Sequence, residues 1–82
     1  MISSSQIKAA RALLGWTALD LAERSGIGPA TLRRWELQEG IPAAKIQSLM
    51  MVKEALENTG IEFTGDPLVN PGVILHLDHQ RK

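Results

Sequence analysis

The chain has 82 residues, no cysteine, and nine basic residues balanced by nine acidic ones. That length gives one domain with a modest core and no disulfide to reinforce it, so self-association is a natural expectation. No apolar run reaches the length of a membrane span. The N-terminal MISSSQIKAAR also lacks the charge-then-apolar order of a secretory signal.

The lack of cysteine fits a reducing compartment, and the expected location is the cytoplasm. Zero net charge limits any nucleic-acid binding to a local positive surface with few phosphate contacts.

The first helix is expected over Ser4 to Leu14. Ser3 is its N-cap and Gln6 completes a capping box, with Ile2 and Ile7 at the positions of a hydrophobic staple. Ile7, Ala10, Leu13 and Leu14 form the inward stripe, and Gly15 ends the helix.

The second helix opens at Thr17. Asp20 lies in its first turn, where negative charge suits the helix dipole. Trp16 and Leu21 have staple spacing, Leu21 and Ala22 point inward, and Gly26 closes the helix.

The third helix has Gly28 as cap, Pro29 at its first position, and Ile27 and Leu32 as a third staple. At about 100° per residue, Leu32 and Trp35 mark its buried side. Ala30, Arg33 and Leu37 then point almost opposite, with Arg34 on one flank.

A turn follows at Gly40. A fourth helix is expected over Pro42 to Asn58, apolar far around its circumference through Ile46, Leu49, Met50, Met51, Val52, Ala55 and Leu56. Beyond Gly60 the pattern becomes that of strands. Ile61–Thr64 alternates, Val73–Leu77 is apolar on both faces, and the turn-rich GDPLVNPG lies between them. Residues 79–82 are expected to fray.

Two helices joined by a tight turn at Gly26, with a second helix that shows two arginines to solvent, make a helix-turn-helix layout. The string Thr17-x3-Leu21-Ala22-x3-Gly26-Ile27-x3-Thr31-Leu32-x2-Trp35-Glu36 resembles the Cro/CI-type (XRE-like) helix-turn-helix of phage repressors and bacterial regulators, over about residues 5 to 56.

The resemblance implies a mainly α fold. It would be a four-helix lambda-repressor-like domain over residues 1–60, with a two-stranded β extension over 61–78 that serves dimerisation. It also implies a transcriptional regulator of repressor type. Such a protein binds double-stranded DNA as a homodimer, on an approximately palindromic operator, through a recognition helix around residues 28–37.

Residue by residue, Arg11 and Glu36 match a salt bridge between the first and third helices of the family. Thr17 matches the residue that faces a phosphate. Pro29, Ala30, Thr31, Arg33 and Arg34 match positions at or near the DNA, and Gln38 lies in a loop that touches the backbone. Two departures stand out. Ala18 occupies the position of a DNA-contacting glutamine, and Pro29 and Ala30 replace polar residues at the start of the recognition helix. Direct reading of bases then falls to Arg33 and Arg34.

Dimer contacts are expected from Met51 and Ala55 on the fourth helix and from Ile61, Phe63, Val73, Leu75 and Leu77 on the strands. Trp16 and Trp35 are read as core. His76 and His79 have H-x-x-H spacing without a third ligand, so no metal, cofactor or small-molecule ligand is expected. Asp20, Glu23 and Glu36 form no acid–base pair with a histidine or cysteine, so no catalytic residue is assigned.

A competing reading keeps the helix-turn-helix as a scaffold only. The chain would then be an interaction module or antitoxin-like partner, recruiting a toxin or regulatory subunit through an exposed strand edge.

Overall fold

The computed structural model describes residues 1–78. It contains α1 (Ser4–Leu14), α2 (Ala18–Ser25), α3 (Pro29–Leu37), α4 (Ile46–Glu57), β1 (Ile61–Thr64) and β2 (Gly72–Leu75), in that order. The expected frayed tail, including His79, lies outside the described residues.

The first three helices begin and end where local chemistry places them. Ser3 and Gln6 close a reciprocal capping box on α1, and Thr17 and Asp20 close another on α2. Gly15 and Gly26 terminate these helices with φ of 69° and 79°, left-handed values that a side chain resists. Ile2 and Ile7 are both buried, as staple partners should be.

One core joins all the elements. Ile2, Ile7, Ala10, Leu21, Ala22, Leu32, Trp35, Leu49, Val52, Ala55, Leu56 and Ile61 pack in it together, with Leu14, Trp16 and Ile27 against its margin. Leu13 is not part of it and is half exposed, because it sits at the edge of the α1 stripe.

The fourth helix starts at Ile46 rather than Pro42. Pro42 is instead buried in a loop, which is held by the Ala43 N–H donating to Gln38 Oε1 at 2.7 Å.

The two strands pair antiparallel within the chain, Ile61 opposite Leu75 and Thr64 opposite Gly72. The second strand is shorter than expected and starts one residue earlier, because Gly72 completes the pairing with Thr64. Beyond it, the His76 N–H still reaches the Gly60 carbonyl at 2.8 Å.

The hairpin lies on its own subunit, with Phe63, Val73 and Leu75 turned to the core. Gln6 fastens it there. Its Nε2 donates to the carbonyls of Thr64 at 3.2 Å and Gly72 at 3.0 Å, while its Oε1 accepts the Ser3 N–H at 2.9 Å. All the hydrogen-bonding capacity of one buried amide is thus divided between capping α1 and docking the hairpin.

Most of the residues expected at a dimer contact are therefore spent inside the subunit. Ala55 and Ile61 are core, and Phe63, Val73 and Leu75 are packed against it. Of that set only Met51 and Leu77 are exposed. Among the described residues, no helix is long and apolar enough to cross a membrane.

Candidate nucleic-acid interface

The third helix is held from three directions. Leu32 and Trp35 sink into the core between α1 and α2. From α1, the Ser4 hydroxyl donates to the Trp35 carbonyl at 2.7 Å, and the Ser4 N–H donates to the Gly40 carbonyl at 2.8 Å. These bonds satisfy an end carbonyl of α3 and a starting N–H of α1 together.

The third hold is the ion pair. Arg11 Nε and Nη2 donate to the two carboxylate oxygens of Glu36 at 2.7 and 2.6 Å, in fork geometry. The remaining Arg11 Nη1 donates to the Trp16 carbonyl at 2.8 Å, so one side chain joins α1, α3 and the α1–α2 turn. The hydrogen bond to Glu36 raises the Arg11 pKa above its ordinary value, against a smaller opposing effect of burial.

The turn before α3 has its own support. The Ser25 hydroxyl donates to the Leu21 carbonyl at 2.7 Å and accepts the Ile27 N–H at 3.2 Å. Arg24 lies over the Trp16 ring at 4.8 Å from its centroid, a cation–π contact that leaves this guanidinium on the body of the protein.

What α3 presents outward follows from its buried side. Ala30 and Leu37 point directly away from the core, Leu37 being 86% exposed. Arg33 and Arg34 are exposed on either side of that line. Neither makes an ion pair or hydrogen bond among the described residues, so both guanidinium groups are unengaged. Pro29 and Thr31 are half buried at the helix start.

Two other expected contact residues are already in use. The Thr17 N–H donates to Asp20 Oδ2 at 2.8 Å, and Thr17 Oγ1 accepts the Asp20 N–H at 3.1 Å. The bond from the Thr17 backbone N–H foremost, and then the Thr17 hydroxyl beside the carboxylate, hold the Asp20 carboxyl below its usual range. A carboxylate therefore stands at the opening of α2. Only the first-turn N–H groups of Ala18 and Leu19 remain there without an intrahelical partner. Gln38 Oε1 accepts the Ala43 N–H, leaving Nε2 for other contacts.

Sequence reasoning does not assign the clamps on α3 made by Ser4. Ser4 carries no sequence signal, because its partners are more than thirty residues away. Leu37, placed outward by helical spacing, is exposed at the centre of the outer face.

A helix-turn-helix family model matches residues 7–47, half of the chain. The chain belongs to the Cro/CI-type helix-turn-helix family. The match takes in α1 from Ile7 onward, α2, α3 and the loop to α4, so it includes the Arg11–Glu36 pair but not the Ser4 clamps. No curated protein and no solved structure matches. As a helix-turn-helix protein the chain is a DNA-binding regulator in the general sense of its family. On the hairpin, His76 Nε2 and Glu62 Oε1 lie 2.7 Å apart, and the described residues contain no group of three or more metal-ligating side chains.

Proposed function

We infer that the protein is a sequence-specific transcriptional regulator of repressor type, acting in the cytoplasm at the nucleoid. It binds an approximately palindromic operator as a homodimer, each subunit placing α3 in the major groove of a half-site. Dimer symmetry sets the half-sites about one helical turn apart, roughly 34 Å.

The observation that carries this reading is the free pair Arg33 and Arg34, flanking the solvent face of a helix clamped on its other sides. An arginine can bind guanine O6 and N7 with both arms, discriminating by roughly 1–3 kcal/mol per good pair. Ala30 and Leu37, between the arginines, offer apolar surface to a thymine methyl. Thr17 at the α2 opening, with the neighbouring N–H groups, and Gln38 Nε2 supply backbone contacts that set the register.

Salt-dependent binding of the arginine variants tests the assignment, after an operator is selected from random duplexes. An arginine on phosphate reduces the slope of log affinity against log salt by about 1 when replaced by alanine. An arginine on guanine instead costs roughly 1–3 kcal/mol and relaxes preference at one position. Affinity unchanged in the Arg33→Ala, Arg34→Ala double variant removes the recognition-helix assignment. If no duplex is enriched by the native protein, the interaction module is the better account.

A further inference from the structure

The hairpin lies beyond the segment that the family model matches, and its inner face packs on its own subunit. Its turn is tightly bonded. Asp66 Oδ1 accepts the N–H groups of Leu68 at 2.8 Å and Val69 at 3.2 Å, and Asn70 Oδ1 accepts the Asp66 N–H at 2.6 Å. Gln6 fastens Thr64 and Gly72, the pair of the ladder next to this turn.

The turn also reaches another part of the chain. Leu68 is 65% exposed, and the covered part of it meets Gly40: a β-carbon on that glycine would lie 3.2 Å from Leu68 Cδ2. Leucine thus fills the space that a side chain at position 40 would need. Gly40 belongs to the loop by which the chain leaves α3. Its carbonyl accepts the Ser4 N–H at 2.8 Å, and the Ala43 N–H closes the loop onto Gln38 Oε1.

We propose that the hairpin is a brace for the recognition helix, and that Leu68 is a positioning residue for DNA binding. The bonded turn seats Leu68 on Gly40. That contact holds the exit loop, and with it Gln38 and the last turn of α3, in one arrangement before DNA arrives. A loop already ordered loses less freedom on binding, so affinity rises with no added contact.

Two routes from the hairpin converge on the same place. Leu68 touches Gly40 directly. Gln6 ties the hairpin to the first turn of α1, where Ser4 holds the Trp35 and Gly40 carbonyls. The proposal rests on α3 being the recognition helix, and its test has one arm with DNA and one without.

The full chain is compared with Leu68→Ala, Leu68→Met and Val69→Ala. Val69, 81% exposed in the same turn, is the control. Circular dichroism confirms that each variant is folded at the temperature of binding. Leu68→Ala should bind a selected operator roughly three- to tenfold more weakly, since the loop must then be ordered by the DNA. Its affinity for random duplex and its salt slope should not change, because no cation is lost. Leu68→Met, of similar volume and reach, and Val69→Ala should stay within about twofold of the native operator affinity.

The second arm follows hydrogen exchange without DNA. Ser4 opens α1, so its N–H has no partner within the helix and is bonded to the Gly40 carbonyl instead. Its exchange reports directly on closure of the exit loop. Leu68→Ala should raise that rate by at least about threefold and leave the Leu21 N–H of α2 unchanged.

Unchanged exchange at Ser4 overturns the brace, and so does a parallel rise at Leu21, which marks general destabilisation. Faster exchange at Ser4 with native operator affinity overturns the positioning role. Equal losses of affinity in Leu68→Ala and Val69→Ala, or an altered salt slope, overturn it as well, since the turn would then act on DNA by its own surface. If the native chain enriches no operator, the DNA reading fails and this role falls with it. An operator bound equally by the native chain and Leu68→Ala rejects the brace alone.

Discussion

Replacing Gln6 tests how the hairpin is fixed to the helices. The Gln6→Ala variant loses two donor bonds, to the Thr64 and Gly72 carbonyls, and the acceptor bond from the Ser3 N–H. At about 1 kcal/mol net per bond, the loss comes to about 3 kcal/mol, before any cost of the space left behind. Half of the capping box survives, because Ser3 Oγ still accepts the N–H of residue 6. A domain this small has about 4–12 kcal/mol of stability, so the change is a large fraction of the whole. Each kcal/mol shifts the midpoint of a domain of this size by about 4–8 °C, which puts the expected drop at about 12–24 °C in thermal unfolding followed by circular dichroism.

The near-isosteric Gln6→Glu separates the two tasks of this side chain. Its carboxylate can still accept the Ser3 N–H, but in the ionised form it has no donor for the two hairpin carbonyls. A protonated carboxyl recovers one donor. The folded state therefore holds the new carboxyl above the usual value of about 4.3, while the unfolded chain does not. The deficit against wild type should be small below that unfolded value. It should grow as pH rises towards the folded pKa and stay constant above it. The reasoning is refuted if Gln6→Ala costs less than about 1 kcal/mol. It is also refuted if the Gln6→Glu deficit is the same at pH 4 and pH 8.

The Arg11–Glu36 pair predicts non-additivity. The side chains are 21% and 10% exposed, so Glu36→Ala leaves a partly buried guanidinium unpaired and should cost about 2–3 kcal/mol in urea unfolding. Arg11→Met with Glu36→Leu should cost clearly less than the sum of the single changes. For Asp20, the folded pKa lies below the unfolded one. Its contribution is therefore present above the unfolded pKa and lost as pH falls through the folded value. Asp20→Asn should accordingly flatten the acid limb of a plot of unfolding midpoint against pH, with little change in the shape of that plot at neutral pH.

The parts of this fold written in local chemistry were legible. α1 and α2 each have a capping box, a staple and a glycine terminator within a few residues, and α3 has staple spacing and a proline at its first position. The fourth helix has neither a side-chain cap nor a proline in its first turn, and it starts four residues after the expected Pro42. Pro42 has the residue type of a helix opening, yet its loop is shaped by Gln38, whose role depends on a tertiary arrangement. The alternation of Ile61–Thr64 marked its inward face correctly. The second strand, apolar at Val73, Ile74 and Leu75, suggested cover on both sides, whereas Ile74 is largely open. Gln6 was visible only as a cap. Its two other partners are 58 and 66 residues away, beyond any local pattern. At the candidate interface, periodicity gave the outward direction of Arg33 and Arg34. It did not show that the Thr17 N–H and Gln38 Oε1 are already engaged within the subunit.

Those engagements bear on how DNA is held. With zero net charge, two free arginines on α3 and a carboxylate at the opening of α2, one subunit offers few cations to a phosphate backbone. Counterion release scales with the number of phosphates neutralised, so a lone subunit should bind random DNA weakly. Joining two subunits changes the balance without adding charge to either. Once one α3 is in its groove, the second meets its half-site at a high effective concentration, and the gain is lost where the half-site spacing is wrong. Affinity then depends on paired half-sites more than on general attraction to DNA. For this chain, a nearly neutral surface acts in the same direction as the proposed pairing of subunits. It keeps occupancy low except where two correctly spaced half-sites are present.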